Sequence, residues 1–544
     1  MKHIIENFRF LVIEAENQVK LTYGLMSEYN EELLEKIASK DDYIDNLKTS
    51  IENSCFSSIY DMKGTEDQTS LNDIRALHII CVNLERIADY CVNIGRQLGY
   101  LTSINFIKEY DYKTMFMEIR RGLSGIYDVF NIKDLSGALS ICRTEFSLDR
   151  LFKDNFIKMM EELKQGSNVT NLITVIFIFR YLERIGDSLL NIGEALIFSI
   201  IGDRIKIRQV DALEKTLSES GFKGSLSDID FTSIWGSRSG CRISRVGNKR
   251  HSGFKAQGIF KEGIIKKIKK EKENIEKWHK IYPGLSPRVF GYYEKHNTAS
   301  ILVEFLQGCS IDQVVLTETP EVIRNVFYIF EQTIGEIWSK TKMIEQFSTD
   351  YMNQLKSRLK SVLNVHKNFI KPVGRINDMY LSSTNELIDT CFLIENEIPA
   401  PFTVFIHGDY NTNNIVYNHQ EQKINYIDLY RSKQADYVQD ASVFLISHFR
   451  LPVFDIELRE RLNTVTLYFY EMFQEFARKN NDNTFEIRMS LALARSLYTS
   501  TRFELNYKFA EDMFLRAHYL MEKIAAHKGK KWEDFRLPEN ILFY

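Results

Sequence analysis

The chain has 544 residues, of which 44% are hydrophobic and 26% charged, with only 8 prolines; that length exceeds what one hydrophobic core supports, so about two to four domains rich in helix are expected. A formal charge of -3 gives no bulk electrostatic case for nucleic acid or an acidic membrane surface, and seven scattered cysteines without a Cys-x-x-Cys pair indicate neither a disulfide framework nor a thiolate zinc site. Residues 1–7 lack the apolar core of a secretory signal, and the most apolar run, 175–179, is far shorter than the roughly 20 residues of a membrane span, so a cytoplasmic protein without a membrane span is expected.

From residue 1 to about 208 the sequence is nearly free of proline, and apolar residues recur at helical spacing, as in Leu77, Cys81, Leu84, Ala88, Cys91 and Gly95. An internal repeat lies within this stretch. Asn83-Leu84-Glu85-Arg86-Ile87-Ala88-Asp89-Tyr90-Cys91-Val92-Asn93-Ile94-Gly95 returns 98 residues later as Tyr181-Leu182-Glu183-Arg184-Ile185-Gly186-Asp187-Ser188-Leu189-Leu190-Asn191-Ile192-Gly193. Each copy therefore heads a unit of about three helices. Glu85 with Asp89 and Glu183 with Asp187 are i, i+4 pairs on one helix face. Asp41 with Asp45 and Glu145 with Asp149 repeat that spacing on the preceding helices. Four carboxylates gathered between helices repel one another unless cations intervene, and helix bundles build metal sites in this way. The competing reading is a surface acidic row, or an ion-pair network with Arg86, Arg184, Arg143 and Arg150. Oxygen-only ligands suit iron, manganese or magnesium better than zinc.

Residues 209–229 contain Ser218-Glu219-Ser220-Gly221-Phe222-Lys223-Gly224-Ser225, which reads as a linker. The texture then changes to strand-like pieces with glycine turns at 241–246, 253–256 and 300–306, interrupted by a helix predicted over 263–281 with Ile264, Ile268, Ile275 and Trp278 on one face. Helical patterns return from about 311, broken by short strands near 402–406 and 424–427. A small sheet-rich lobe, about 230–308, precedes a larger helical lobe, about 309–544.

The chemistry concentrates in Phe405-Ile406-His407-Gly408-Asp409-Tyr410-Asn411-Thr412-Asn413-Asn414-Ile415, followed by Ile427-Asp428-Leu429. Phosphoryl transfer asks a protein chiefly for positioning and charge stabilisation. Asp409, between a strand and a polar loop, is placed to accept the proton of an attacking hydroxyl, and Asn414 and Asp428 offer hard oxygen ligands for magnesium. The small lobe should add a lysine on the nucleotide phosphates and an acid to hold it. Lys255 is the candidate in preference to Lys266, and Glu271 falls near the apolar face of the helix, where a charge wants a partner; otherwise Glu271 is one more solvated charge of the 266–280 run. Trp235-Gly236-Ser237-Arg238-Ser239-Gly240 is a glycine loop whose amides, at Gly236 and Gly240 above all, can cover phosphates.

From about residue 230 to 544 these residues resemble the aminoglycoside phosphotransferase and choline kinase group of the protein-kinase-like fold, through His407-Gly408-Asp409 with Asn414, Ile427-Asp428, and Asp436 and Asp440 in Ala435-Asp436-Tyr437-Val438-Gln439-Asp440-Ala441. The resemblance implies Asp409 as catalytic base, Asn414 and Asp428 as magnesium ligands, Asp440 as a buried acid bracing the loop beside His407 and Asp436, Lys255 paired with Glu271, and Glu304-Phe305-Leu306 as the hinge that meets adenine. Tyr410-Asn411 departs from the usual Leu-His, at the place where acceptor recognition begins. Residues 1–208 resemble the PhoU phosphate-uptake regulators, whose Glu-Arg-Ile-x-Asp-x-x-x-Asn-Ile signature is present at 85–94 and 183–192. That resemblance implies multinuclear metal, iron or manganese, at the acids of both repeats. Tyr90-Cys91 and Ser188-Leu189 stand where the family often has His-Ala.

The expected architecture is therefore multidomain: an all-α bundle of two three-helix PhoU-like repeats, then a bilobal α+β kinase-like fold. The expected function is phosphorylation of a small-molecule hydroxyl with ATP and Mg2+. A phosphate-signalling regulator whose kinase-like half only binds nucleotide, with the helical region docking a phosphate-transport or sensor protein, is the alternative. The acceptor pocket should come from the insertion at 343–397 and the helices after 486. Acids such as Glu395, Glu397 and Glu504 would favour an amine-bearing acceptor if they formed its floor.

Overall fold

A computed structural model describes residues 2–61, 68–202, 207–219, 229–233, 242–248, 258–295 and 297–544. They form two compact units: Met1–Glu262 with Gly291–His296, and Gly263–Phe290 with Asn297–Tyr544. Strands of the stretch 229–262 thus group with the helical part rather than with the rest of the region expected from about 230.

The first unit begins with α1 (Lys2–Ser27), α2 (Glu31–Asp61) and α3 (Gln68–Leu98), the three helices of the first repeat. The second repeat breaks its opening helix into α4 (Tyr112–Leu123) and α5 (Ile126–Ile132) before the long α6 (Leu135–Lys164) and α7 (Val169–Ile201). The periodic residues Leu77, Cys81, Leu84, Ala88 and Cys91 are all buried, as amphipathic patterning requires. The glycine that closes each signature allows close helix packing. A Cβ on Gly95 would meet Leu34 Cδ1 at 2.6 Å, and one on Gly193 would meet Cys142 Sγ at 2.3 Å. The predicted linker is in part a helix, α8 (Ile207–Glu219), because Ile207, Ala212, Leu213, Thr216 and Leu217 recur at helical spacing and are buried. Strands β1 (Ile229–Ser233), β2 (Arg242–Asn248) and β3 (Gly258–Ile264) pair antiparallel in that order, with Ile243 opposite Lys261.

The second unit opens with α9 (Ile265–Ile281). Ile264, expected on the buried face of this helix, is instead the last residue of β3 and 70% exposed; Ile268, Glu271, Asn274, Ile275 and Trp278 carry the buried face. Next along the chain come β4 (Val289–Lys295), of which all but the first two residues belong to the first unit, and β5 (Thr298–Glu304) of the second. A short β6 (Cys309–Ser310) leads into α10 (Ile311–Thr317), α11 (Pro320–Thr341) and α12 (Tyr351–Val365), then the hairpin β7 (Gly374–Ile376) and β8 (Met379–Leu381), and α13 (Thr384–Glu397). The core elements come next: β9 (Val404–Ile406), β10 (Ile415–Asn418), β11 (Lys423–Tyr426) and β12 (Lys433–Ala435). The chain finishes with α14 (Val438–Phe449), α15 (Ile456–Lys479), α16 (Phe485–Ser500) and α17 (Tyr507–Ala526). Sheet β11–β10–β6 and ladder β12–β9 are antiparallel. Local chemistry starts the helices: Pro320 opens α11, Ser383 and Glu386 form a capping box on α13, and Asp455 caps α15. Among the described residues, no helix is long and apolar enough to cross a membrane.

Candidate active site

Strand β9 delivers His407, Gly408 and Asp409, and its partner β12 returns the chain over them with Ile406 opposite Lys433. Gly408 has φ +82° and a Cβ there would lie 2.4 Å from the Arg431 carbonyl oxygen, so only glycine fits this crossing. The loop hangs from α14: the His407 amide donates to Asp440 Oδ2 at 2.6 Å and the Gly408 amide to Asp440 Oδ1 at 2.8 Å. Asp440 is only 2% exposed. Burial pushes its carboxyl up to about 7, with the two amide bonds opposing and the Asp409 charge adding to the rise.

His407 is buried and held neutral by that burial. Its Nε2–H donates to the Ile427 carbonyl at 2.9 Å, which leaves Nδ1 to accept from the Asp409 amide at 3.3 Å. One imidazole thereby ties the Asp409 loop to the strand end that carries Asp428. Both oxygens of the Asp409 carboxylate are held: Asn411 Nδ2 donates to Oδ1 at 2.7 Å, and Arg431 Nη1 lies 3.0 Å from Oδ2. Asn414 Nδ2 donates to the Asp409 carbonyl at 2.8 Å, which commits the amide nitrogen and leaves the side-chain oxygen as an acceptor suited to a hard cation. Asp428 has φ +61°, a left-handed conformation uncommon outside glycine, at the turn where β11 ends. Behind that turn α9 supplies the support. Asn274 donates to the carbonyls of Leu429 and Ser432 at 2.7 and 3.1 Å, and Trp278 Nε1 donates to Ser432 Oγ at 2.9 Å.

Some expected residues take other places and some lie where expected. Tyr410, read as the start of acceptor recognition, is buried with its hydroxyl on that of Tyr426 and its ring among Phe330, His407 and Phe444. Asn411 alone of that pair faces the site, where Arg450 Nη2 donates to its Oδ1 at 3.0 Å. Glu395 forms no open acidic floor; it is buried and accepts from the amides of Tyr351 and Met352 at 2.6 and 3.0 Å, at the start of α12. Asp436 is buried with Asp482 around Arg488. At the proposed hinge, the Glu304 amide donates to the Arg288 carbonyl at 2.8 Å, and Phe305 and Leu306 are half-buried. Glu271 is buried rather than solvated. Lys255, Gly236 and Gly240 lie outside the described residues. Lys261 on β3 was not singled out from the sequence, yet it is buried and engaged; a lysine in the middle of a strand is the signal that points to it.

In the first unit the acids of each repeat are brought within electrostatic reach. Burial, then Asp89, Glu85 and Asp42, push Asp41 up to about 6, and its side chain is hydrogen-bonded to Asp89. Glu85 is raised by burial and Asp89, while Lys48 lies 3.2 Å from Asp45 and 3.7 Å from Glu85. In the second repeat burial, then Asp149, raise Asp187, and Arg180 pairs with Glu183; Glu145 is also buried. Lys48 and Arg180 make the close ion pairs, and of the arginines read from the sequence Arg86 acts on Glu85 and Arg184 on Asp187. Among the described residues, no group of three or more His, Cys, Asp or Glu is placed to hold one metal ion. The donor set therefore does not fit a metal cluster as it stands, because lysine and arginine already neutralise part of it.

Comparison with known proteins accounts for both regions. The PhoU domain matches residues 13–98 and 112–196, and the Ecdysteroid kinase-like family matches residues 314–480. The chain is a fusion of PhoU repeats with a kinase-like region. Among its relatives is the phosphate-specific transport system accessory protein PhoU homolog of Clostridium acetobutylicum, 27% identical over 198 residues, which are 36% of this chain and 89% of the relative. The crystal structure of PhoU from Pseudomonas aeruginosa is similar at 20% identity and TM-score 0.34, covering 37% of this chain and 97% of that one. The structure of choline kinase from Cryptosporidium parvum is similar at 12% identity and TM-score 0.37, covering 59% of this chain and 97% of that one.

Proposed function

We propose that the kinase-like region transfers the γ-phosphoryl group of ATP to a small-molecule hydroxyl, with Asp409 as the base. The observation that carries this is the hold on Asp409: a carboxylate oriented at both oxygens, on a loop fixed by Asp440 and by the Asn414 amide. Magnesium, when bound, supplies charge neutralisation of the phosphates, and the oxygens of Asn414 and Asp428 would hold it. Asp409 then orients the acceptor hydroxyl and takes its proton as the new bond forms. Glu304, Phe305 and Leu306 would meet the adenine, and Lys255, with Glu271, the phosphates.

A second reading is favoured by one observation, the Arg431 ion pair on the base, which suits a nucleotide-binding module that does not turn over. In that reading the PhoU region docks a phosphate-transport or sensor protein. We place either activity in the cytoplasm; the six described cysteines are all unpaired, as a reducing compartment requires. Replacement of Asp409 by Asn separates the readings. ATP consumption should fall by roughly 10²- to 10⁴-fold while ATP binding, followed by calorimetry, is retained. Equal ATP consumption by the two proteins would remove Asp409 from the chemistry.

A further inference from the structure

Asp409 lies within a group of arginines. Arg431 is paired with it at 3.0 Å, and Arg450 reaches it through Asn411. Three more guanidiniums come from Arg358 on α12, Arg495 on α16 and Arg502 on the turn Thr501–Phe503, elements that pack against one another. Burial, then Arg431, lowers Arg358. Burial, then Arg358, Arg431 and Arg450, bring Arg502 down to about 10, and burial brings Arg495 to the same value, with Arg358 adding to the fall. All remain charged at neutral pH.

The acids nearby offer Arg358, Arg495 and Arg502 few free acceptor oxygens. Asp440 is committed to the His407 and Gly408 amides, and Glu395 to the amides that open α12. Asp436 and Asp482 are taken by Arg488. Asp409, Asp428, Glu395 and Asp440, with the phenols of Tyr351 and Tyr430, act electrostatically on Arg358, Arg431 or Arg495, and of these acids Glu395 and Asp440 spend their oxygens on backbone amides. Two donors are also buried without a partner: Nε of Arg495, a residue 4% exposed, and Nη1 of Arg502. Arg495 Nη2 has only a long bond, 3.4 Å, to Ser442 Oγ. Burying an unpaired guanidinium donor among like charges is costly, and a planar or tetrahedral anion offers oxygens that match its paired donors.

We propose that the acceptor is an anionic alcohol, a hydroxyl compound bearing a phosphate or carboxylate group held by Arg358, Arg495 and Arg502, with its hydroxyl at Asp409. This rests on the phosphotransferase reading above. The acceptor oxygen bonds to the γ-phosphorus as the bond from that phosphorus to the β,γ-bridging oxygen breaks; its proton passes to Asp409 and ADP leaves with the electron pair. The site is thus built for the opposite charge to an amine-bearing acceptor.

The test uses the full chain with ATP and Mg2+, and compares glycerol 3-phosphate and glycerate with glycerol and choline. ATP consumption is expected with the anionic compounds alone, and the two anionic arms show which anion is preferred. Arg358→Gln and Arg502→Gln, at half-exposed positions, should raise the KM of the anionic acceptor by roughly tenfold and leave the KM of ATP unchanged. Titration of Asp409→Asn with the same two anions and with inorganic phosphate reads binding without turnover. Turnover of choline or glycerol that the arginine variants do not alter, with no anion bound, overturns the proposal and leaves the kinase reading standing. Arginine-dependent anion binding with no ATP consumption in any arm supports the anion site and overturns the kinase reading. A rise in the KM of ATP matching that of the acceptor assigns the arginines to the nucleotide and overturns the proposal.

Discussion

Replacing Asp440 by Asn keeps the shape of the side chain and removes its charge, and the structure sets what should follow. Asp440 is buried under the His407 and Gly408 amides, and its carboxyl titrates at about 7 against an ordinary value of 3.8. A raised acid contributes stability that is fully present below 3.8 and is lost as pH rises through about 7. Between about pH 5 and pH 8 the native protein should therefore lose about 3 kcal/mol through this one group, and the Asn variant nothing. The variant carries its own penalty at every pH. An amide presents one acceptor where the carboxylate has two, so one loop amide is left unpaired at a cost of about 1–3 kcal/mol. The two stability curves should then converge or cross between pH 5 and 8. Urea unfolding followed by tryptophan fluorescence measures this, since Trp278 and Trp338 are both buried in the second unit. Parallel curves over that range would refute the reasoning, because they would mean that the amide bonds outweigh burial and Asp440 is ionised throughout.

Two further outcomes follow from buried charge. Arg488 is fully buried between Asp436 and Asp482, whose carboxylates also accept from Tyr351 Oη at 3.0 Å and Tyr437 Oη at 2.7 Å. Arg488→Met should destabilise the second unit by about 3–5 kcal/mol, read from the urea midpoint, and converting both acids to Asn in the same chain should recover much of the loss. A midpoint unmoved by Arg488→Met would show the triad to be neutral. In the first unit, Asp41 titrates at about 6, so its contribution is present below 3.8 and lost as pH rises through 6. Asp41→Asn should stabilise that unit at neutral pH by about 1 kcal/mol after solvent screening, and by less at about pH 5. Circular dichroism melts at the two pH values check this, and equal shifts at both would show that burial and the Asp89 charge do not raise Asp41 in the folded protein.

Much of the fold was legible because its signals are local. The doubled Glu-Arg-Ile-x-Asp run marks α3 and α7, and the spacing of Leu77, Cys81, Leu84, Ala88 and Cys91 marks the buried stripe of the first. The misreadings also have local causes. Ile264 continues the helical spacing of α9 but stands where a strand hands over to a helix, so periodicity assigned it to a face it does not share. The linker signal at 218–225 hid the amphipathic α8 just before it. Tyr410 was given a functional place by its position beside Asp409, whereas its ring belongs to the core around Phe444. Position along a chain does not say on which side of a loop a side chain falls.

The sequence by itself determined where the Asp409 loop lies, because an apolar run, a glycine, Asp409 and Asn414 follow one another within residues 405–415, whereas the need for glycine at 408 comes from a backbone angle and an Arg431 carbonyl that packing sets. Only the tertiary structure decided which charges meet. Asp440 lies 32 residues beyond the amide of Gly408 that it holds, and Arg358 and Arg502 come from distant helices with no motif to announce them. The reason is physical: the energy of a charge depends on its burial and on neighbours within a few ångströms, and both are properties of packing rather than of order along the chain.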